Sequence, residues 1–468
     1  MLLRLGLCVV AAVLGIGQVD RRAVSLLMTN ATLVTMDTAR RVVPAGAVAI
    51  DGRDIAAVGT ADEVAARFTA AETIDAQGAI VLPGLINTHT HAPMVLYRGL
   101  ADDLALMEWL QKYIFPAEAK TVTPEFVRAG TRLAALEMIG SGTTTYADMY
   151  YFEEEIARVT REAGLRAVLG QTIIRFPVAD AKTPAEGLHR GLRFVEAFQK
   201  DPLITPALAP HAMYTLDAAT LRGIRDAAER VRAPLLIHLA ETKDEVAVAR
   251  KEHRASPVQY LESLGFWGTS AAGSPVRVLA AHAVHVTAED IGILAKRGVG
   301  VSHNPESNMK LASGTAPVPA LRSARVPVGL GTDGAASNND LDMFEAMRQA
   351  ALLHKLASGD PRTLPAVDAL AMATIEGARA LGLAGEIGSL EAGKRADLIV
   401  VSMSSARQTP LYDPVSHLVY ATSGSDVRTV IVDGKVLMRD RKMQTLDEAA
   451  VIAEANAQAQ RVREAVRP

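Results

Sequence analysis

A single cysteine, Cys8, occurs among 468 residues. That excludes an intramolecular disulfide framework and any cysteine-rich zinc knuckle, so a metal bound by this chain must be held by His, Asp or Glu. Basic residues are not in excess: 49 Lys and Arg stand against 52 Asp and Glu, a net charge of -3. Without a basic footprint, nucleic acid is not an expected partner. Beyond the N-terminus no apolar run is long enough to suggest a membrane span, and no glycine-rich dinucleotide fingerprint is present. What is there is an ordinary globular composition, 49% hydrophobic and 22% charged, in a chain long enough for two or three domains.

The one exceptional apolar segment is the start, "MLLRLGLCVVAAVLGIGQ", with Arg4 ahead of the run. Its length suits a signal peptide, which would place the protein in the periplasm or outside the cell, yet no small-x-small cleavage site follows. A start codon assigned too early, with a cytoplasmic chain folding from near Ser25, fits equally well. Residues 1–24 are therefore read as a leader outside the fold.

After it, "SLLMTNATLVTMD" reads as a strand and "AVAIDGRDIAAVG" as a hairpin turning at Asp51-Gly52. The same grammar returns in "RADLIVVSM" and "VRTVIVDGKVLMRD", turning at Asp433-Gly434. These β-rich ends, residues 25–82 and 386–445, are expected to pair into one small β-sandwich; a C-terminal helix, 446–468, serves packing or subunit contact and leaves a homo-oligomer open. Between them, residues 83–385 alternate strand and helix eight times. The apolar runs are "IVLPGLINTHTH", "GTTTYADM", "LRAVLGQTI", "ITPALAPHAMY", "APLLIHLAET", "VRVLAAHAVHV", "GVGVSHNP" and "VPVGLGTDG". Helices such as "TPEFVRAGTRLAALEMIG", with a Thr cap and Pro at its first position, separate them. Continuous apolar strands alternating with helices imply a covered parallel sheet. Eight units predict a (β/α)8 barrel, with a doubly wound open sheet as the alternative.

Barrel enzymes carry their chemistry at the C-terminal strand ends. Here those ends hold His89 and His91, Asp148, His211, His238, His282 with His285, His303, and Asp333: seven of the eleven histidines. On an extended strand His89 and His91 point to the same face, and paired neutral imidazoles suit a transition metal. Joined by His238 and Asp333 they would form an N3O set with one open position, the arrangement of a catalytic site. Glu241, just past His238, is placed to shuttle protons. His253 and His354, on predicted helices among charged neighbours, are expected at the surface.

The segments "PGLINTHTHAPM", "HLAET", "AAHAVH", "VSHNPESNMKLASG" and "GTDGAASNNDLDMFEAMR" together resemble the amidohydrolase superfamily. Within it they resemble the branch of 5-methylthioadenosine/S-adenosylhomocysteine deaminases and the related triazine chlorohydrolases, and the likeness runs from Ser25 to about Lys442. The resemblance implies that His89, His91, His238 and Asp333 hold one divalent ion, usually zinc, with iron(II) or manganese(II) as substitutes. Members with two metals carry a lysine on the fourth strand, where this chain has His211, so one ion is implied. It also implies hydrolytic deamination at C6 of an adenine ring: Glu241 gives a proton to N1, Asp333 takes the proton of the attacking water, and His282 orients that water. His285 matches no catalytic position and is read as structural. The cysteine ligands of the cytidine-deaminase zinc site are missing.

For the substrate, the resemblance makes the glutamate of "MEWL", Glu108, the ligand of ribose hydroxyls, and places His211, Glu241 and Asp333 against the substrate, with Asn304 in the same pocket. Arginines that would clamp the carboxylate of S-adenosylhomocysteine are not matched after the third strand, where Gln171 stands in one place and Arg175 is shifted. That favours methylthioadenosine or adenosine. A triazine-type chlorohydrolase, or a deaminase of another N-heterocycle, is the alternative on the same scaffold.

Overall fold

The computed structural model describes residues 21–268 and 276–466; residues 1–20 of the apolar leader lie outside them, whereas residues 22–24, expected in that leader, open the first strand, Arg22–Val34, by pairing with residues 68–70. Eight parallel strands run through the middle of the chain: Leu85–Thr90, Thr143–Tyr150, Arg166–Ile173, Ile204–Pro210, Leu235–Leu239, Val278–His282, Gly300–His303 and Val328–Leu330. Each lies beside its sequence neighbour, so order in the sheet is order in the chain. They are the eight apolar runs predicted above, and they are buried along almost their whole length, as strands covered on both faces must be. Last and first strands approach through polar bonds: Thr332 N–H donates to Asn87 Oδ1 at 3.1 Å, and Asp333 N–H donates to the His89 carbonyl at 2.9 Å. The barrel is thereby nearly closed, and the open-sheet alternative falls.

Helices return each strand to the next. Thr123 accepts the Phe126 N–H and starts Pro124–Gly140; Asp217 accepts the Thr220 N–H and starts Ala218–Val231. Both satisfy amide donors that a helix start leaves free.

The two β-rich ends do pair. Five strands from the N-terminal side (Arg22–Val34, Val42–Asp51, Asp54–Thr60, Phe68–Asp75, Ile80–Pro83) and four from the C-terminal side (Leu398–Val401, Val427–Val432, Lys435–Arg439, Lys442–Met443) share one hydrogen-bonded sheet. Their seam is antiparallel, Ile80–Pro83 against Leu398–Val401. Met28, Leu33, Ile50, Leu398 and Ile431 form a separate apolar core there. The run "IVLPGLINTHTH" thus divides between the two sheets at Gly84, where a Cβ would overlap the Thr144 side chain.

One ion network ties the terminal sheet to the base of the barrel. Arg166, at the start of the third barrel strand, reaches Asp397 (Nε–Oδ2 2.8 Å) and Asp433 (3.1 Å), and all but the Asp433 side chain are almost fully buried. Removing one partner of such a pair strands a buried charge at a cost of about 3–5 kcal/mol. Arg166→Ala is therefore expected to lower unfolding free energy by about 3–5 kcal/mol in a denaturant titration; a loss below about 1 kcal/mol would show that the pair is not coupled to the fold.

The C-terminal helix, Glu448–Val466, packs on Pro124–Gly140 and Phe115–Thr121, with Arg132 paired to Glu454 at 3.1 Å. His354 departs from its expected surface position. It is buried, its Nε2 is 3.1 Å from His303 Nε2, and its helix, Met343–Ser358, turns that face inward despite the neighbouring Lys355. No helix among the described residues is long and apolar enough to cross a membrane.

Candidate active site

The C-terminal ends of the barrel strands open into a cleft of about 670 Å³, counting the solvent space at its mouth. His89 is the next-to-last residue of the first strand and His91 directly follows that strand; His238 lies near the end of the fifth strand, His282 ends the sixth, and Asp333 follows the eighth. These side chains converge. His89 Nε2 and His91 Nε2 lie 3.5 and 3.4 Å from Asp333 Oδ1, and His238 Nε2 is 3.4 Å from His91 Nε2.

Second partners orient the rings. His91 Nδ1 is 2.6 Å from the Met149 carbonyl and His238 Nδ1 is 2.9 Å from the His211 carbonyl. A carbonyl can only accept, so each Nδ1 carries the proton and each Nε2 offers a lone pair to the centre. Burial drives His89 down to about 4 in pKa despite the neighbouring Asp333, and burial likewise lowers His91 and His238. Burial works against the Asp333 carboxylate, but the histidines beside it, His89 first, overcome it and lower its pKa well below the usual carboxylate value. Neutral imidazoles around one carboxylate, with His89 Nε2 buried and without a hydrogen-bond partner, fit a divalent cation. A second trio, His89, His238 and His282, has ligand atoms equally close together.

Backbone strain marks the same rim. Asp333 has φ +65°, His282 +74° and Ala240 +48°, a left-handed region that side-chain-bearing residues rarely occupy. Gly331 supplies the close approach beneath Asp333: a Cβ there would sit 2.5 Å from Asn304 Oδ1 and 2.9 Å from the His89 amide nitrogen. Asp333 Oδ2 accepts from Ser307 Oγ at 2.7 Å, and its Oδ1 from the Gly334 N–H at 2.7 Å.

Glu241 lines the cleft with its Oε2 3.8 Å from His282 Nε2, and burial raises its carboxyl pKa. The strained turn carrying it is held by Glu245, whose two oxygens accept the Ala240 and Glu241 amides at 2.9 Å each. Burial disfavours charge on His282, but Glu241 and Asp333 outweigh it and raise its pKa; Asn308 Oδ1 lies 2.9 Å from its Nδ1. His211 also lines the cleft, and burial lowers it to about 3. His285 is turned away, its Nε2 2.7 Å from the Ser313 carbonyl, and Asn304 meets His282 Nδ1 at 3.3 Å.

Glu108 does not reach the cleft. Its carboxylate is half-exposed and bound to Lys112 Nζ at 2.8 Å. The reason lies in the helix that carries it: Leu106–Trp109 is α-helical, Leu110–Ile114 forms a π-turn, and Phe115–Thr121 is α-helical again. Leu106, Trp109, Leu110, Ile114, Phe115 and Glu118 recur at helical spacing on the face that lines the cleft, and Glu108, two residues after Leu106, falls off that face towards water. Glu118, ten residues on, is the carboxylate that lines it. It is buried, accepts from the Tyr150 hydroxyl at 2.7 Å, and burial raises its pKa to about 7. Glu118, Glu245, Ser307 and Asn308 escaped sequence reasoning. The last two lie in "HNPESN", directly after a strand end, a position that could have flagged them.

Comparison with known proteins agrees with this geometry. Residues 80–437 match the sequence model of the amidohydrolase family. The 5-methylthioadenosine/S-adenosylhomocysteine deaminase of Syntrophobacter fumaroxidans is 49% identical over 427 residues, covering 90% of this chain and 94% of that protein. The 5'-deoxyadenosine deaminase of Methanosarcina mazei is 46% identical over 432 residues, covering 92% and 96%. A crystal structure of an adenosine deaminase from Xanthomonas campestris with bound zinc superposes with a TM-score of 0.92 at 40% identity, covering 95% of this chain and all of that one. Because the family model spans the whole barrel and these relatives align almost end to end, the chain belongs to the amidohydrolase family.

Proposed function

We propose that this protein is a metal-dependent hydrolytic deaminase of adenine nucleosides, converting them to the inosyl product and ammonia. The observation that carries the reading is one cleft with a His/Asp cluster and Glu241 at its floor and a second buried carboxylate, Glu118, elsewhere on its wall. A purine ring and its sugar need such an arrangement: acid–base groups at the ring, and an acceptor for hydroxyls at the ribose. Relatives named as deaminases of adenine nucleosides support it.

His89, His91, His238 and Asp333 would hold the ion. Zinc is the proposed metal, since three imidazoles and a carboxylate suit it and the Xanthomonas campestris relative has it bound. The ion's contribution is to lower the pKa of water towards neutrality. Glu241, whose carboxyl pKa burial raises, donates to ring N1. Asp333 accepts the proton of the attacking water and passes it on towards the leaving amine. His282, aligned by Asn308, orients the water, and His211 contacts the substrate. The apolar wall around Trp109 and Phe115 excludes bulk water from these transfers.

Glu118 replaces Glu108 as the proposed ribose ligand. Hydrogen bonds to a charged acceptor are worth about 1.5–3 kcal/mol, so Glu118→Ala should raise KM for nucleosides roughly 10- to 150-fold. Ammonia release from adenosine, methylthioadenosine and guanine, and chloride release from a chlorotriazine, test the reading; turnover of the base-only compounds in preference to nucleosides overturns it. Above a pH of about 7 Glu118 is ionised and accepts both hydroxyls; as pH falls through that value it gains a proton and loses an acceptor. KM is therefore expected to climb on the acid side, and Glu118→Gln to abolish that climb.

A further inference from the structure

Two strained turns meet beside the proposed metal site. Ala240, just past the fifth barrel strand, has φ +48°; His282 and Ala283, at the end of the sixth, have φ +74° and +48°. Their backbones are bonded to each other: Ala283 N–H donates to the Leu239 carbonyl and His285 N–H to the Ala240 carbonyl, each at 2.9 Å. Glu241 directly follows the first turn, and its Oε2 is 3.8 Å from His282 Nε2 in the second.

Glu245 holds the first turn from the other side. It is the third residue of the helix Lys243–His253, whose cap, Thr242, accepts the Glu245 N–H at 3.2 Å. In an ordinary capping box a glutamate at that position returns to the amide of the cap residue. Glu245 reaches past the cap instead, to the amides of Ala240 and Glu241 at 2.9 Å each. Helix capping therefore does not account for it. The carboxylate is buried, and burial pushes its pKa up to about 7 against the pull of those two amides. A buried acid thus stabilises a backbone conformation that alanine disfavours.

Resting on the reading of Glu241 as the proton donor to the ring, we infer that Glu245 is a positioning residue for the reaction. Through the amides of Ala240 and Glu241 it fixes the strained turn that aims the Glu241 carboxyl, and the bonds from Ala283 and His285 keep that turn in register with His282. His285, which matches no catalytic position, thereby contributes its backbone to the same arrangement.

The test is kcat and KM for adenosine, per equivalent of bound zinc, on the full chain in wild type, Glu245→Gln, Ala240→Gly and the double variant. Glutamine keeps the size of glutamate but turns one acceptor into a donor that faces an amide N–H. We expect kcat to fall about 10- to 100-fold, as a misplacement of about 1 Å does, with bound zinc unchanged and KM within about threefold of wild type. Glycine enters the left-handed region as readily as the right-handed one. The double variant should therefore exceed Glu245→Gln in kcat by about fivefold or more, the factor that corresponds to the left-handed penalty of alanine. A merely structural Glu245 predicts the reverse, because a buried Ala→Gly change removes a methyl group and frees the unfolded chain. Wild-type kcat in Glu245→Gln overturns the inference, and so does a double variant no faster than Glu245→Gln. Should Glu245→Gln not fold, Glu245→Asp, which keeps the charge and withdraws it by one methylene, takes its place in the same comparison. If wild type deaminates adenosine and the variants fail these expectations, only the role of Glu245 is lost; if no adenine nucleoside releases ammonia, the deaminase reading falls and takes this inference with it.

Discussion

Glu241→Gln is expected to lower kcat by roughly 10²- to 10⁴-fold, the usual contribution of a positioned general acid–base group, while leaving bound metal unchanged. Glutamine keeps the volume and the hydrogen-bonding reach of the side chain but carries no proton that can be given to a ring nitrogen. Glu241 lies outside both trios of ligand atoms, so the ion should be retained in full. Glutamine also relieves the burden of a buried carboxylate, and thermal stability should hold or rise. Metal analysis beside steady-state kinetics checks all three points. Near wild-type kcat would remove Glu241 from the chemistry, and loss of metal would make it a ligand instead of a proton carrier.

The second large effect is expected on removing the ion. His89 Nε2 is buried without a partner, and an unsatisfied buried polar atom costs about 1–3 kcal/mol. A cation bound at a thousandfold excess over its Kd stabilises the native state by about 4 kcal/mol. Chelation should therefore abolish ammonia release and lower Tm, and added zinc should restore both. His238→Ala removes one of the three proposed imidazole ligands and should lose activity together with most of the zinc-dependent rise in Tm. If the chelated protein keeps its Tm and the variant keeps its metal, the cluster is a set of core histidines and the proposed chemistry has no centre.

Much of this architecture was legible in the chain. Strands of a covered parallel sheet are apolar along their length, and the eight runs from "LINTH" to "VGL" stand where they were expected. Local turn chemistry did the same for the hairpins, because Gly52 and Gly434 adopt the positive φ that an Asp-Gly turn requires. Spacing placed His89 and His91 together, since a strand repeats its faces every two residues. The failures have a common source. Glu108 and Glu118 look alike in the sequence, and which of them meets the cleft depends on which face of their segment packs over the strand ends. His354 sits among polar neighbours, but the packing of its helix decides that its face is inward.

By itself, then, the order of residues determined the repeating unit, the pairing grammar of the ends and the side chains able to bind a metal, because each of these follows from interactions within a few residues. Tertiary structure alone decided which carboxylates face the cleft and how the imidazoles are protonated. Those outcomes depend on burial and on contacts between segments far apart in the chain, and neither quantity exists until the barrel has closed.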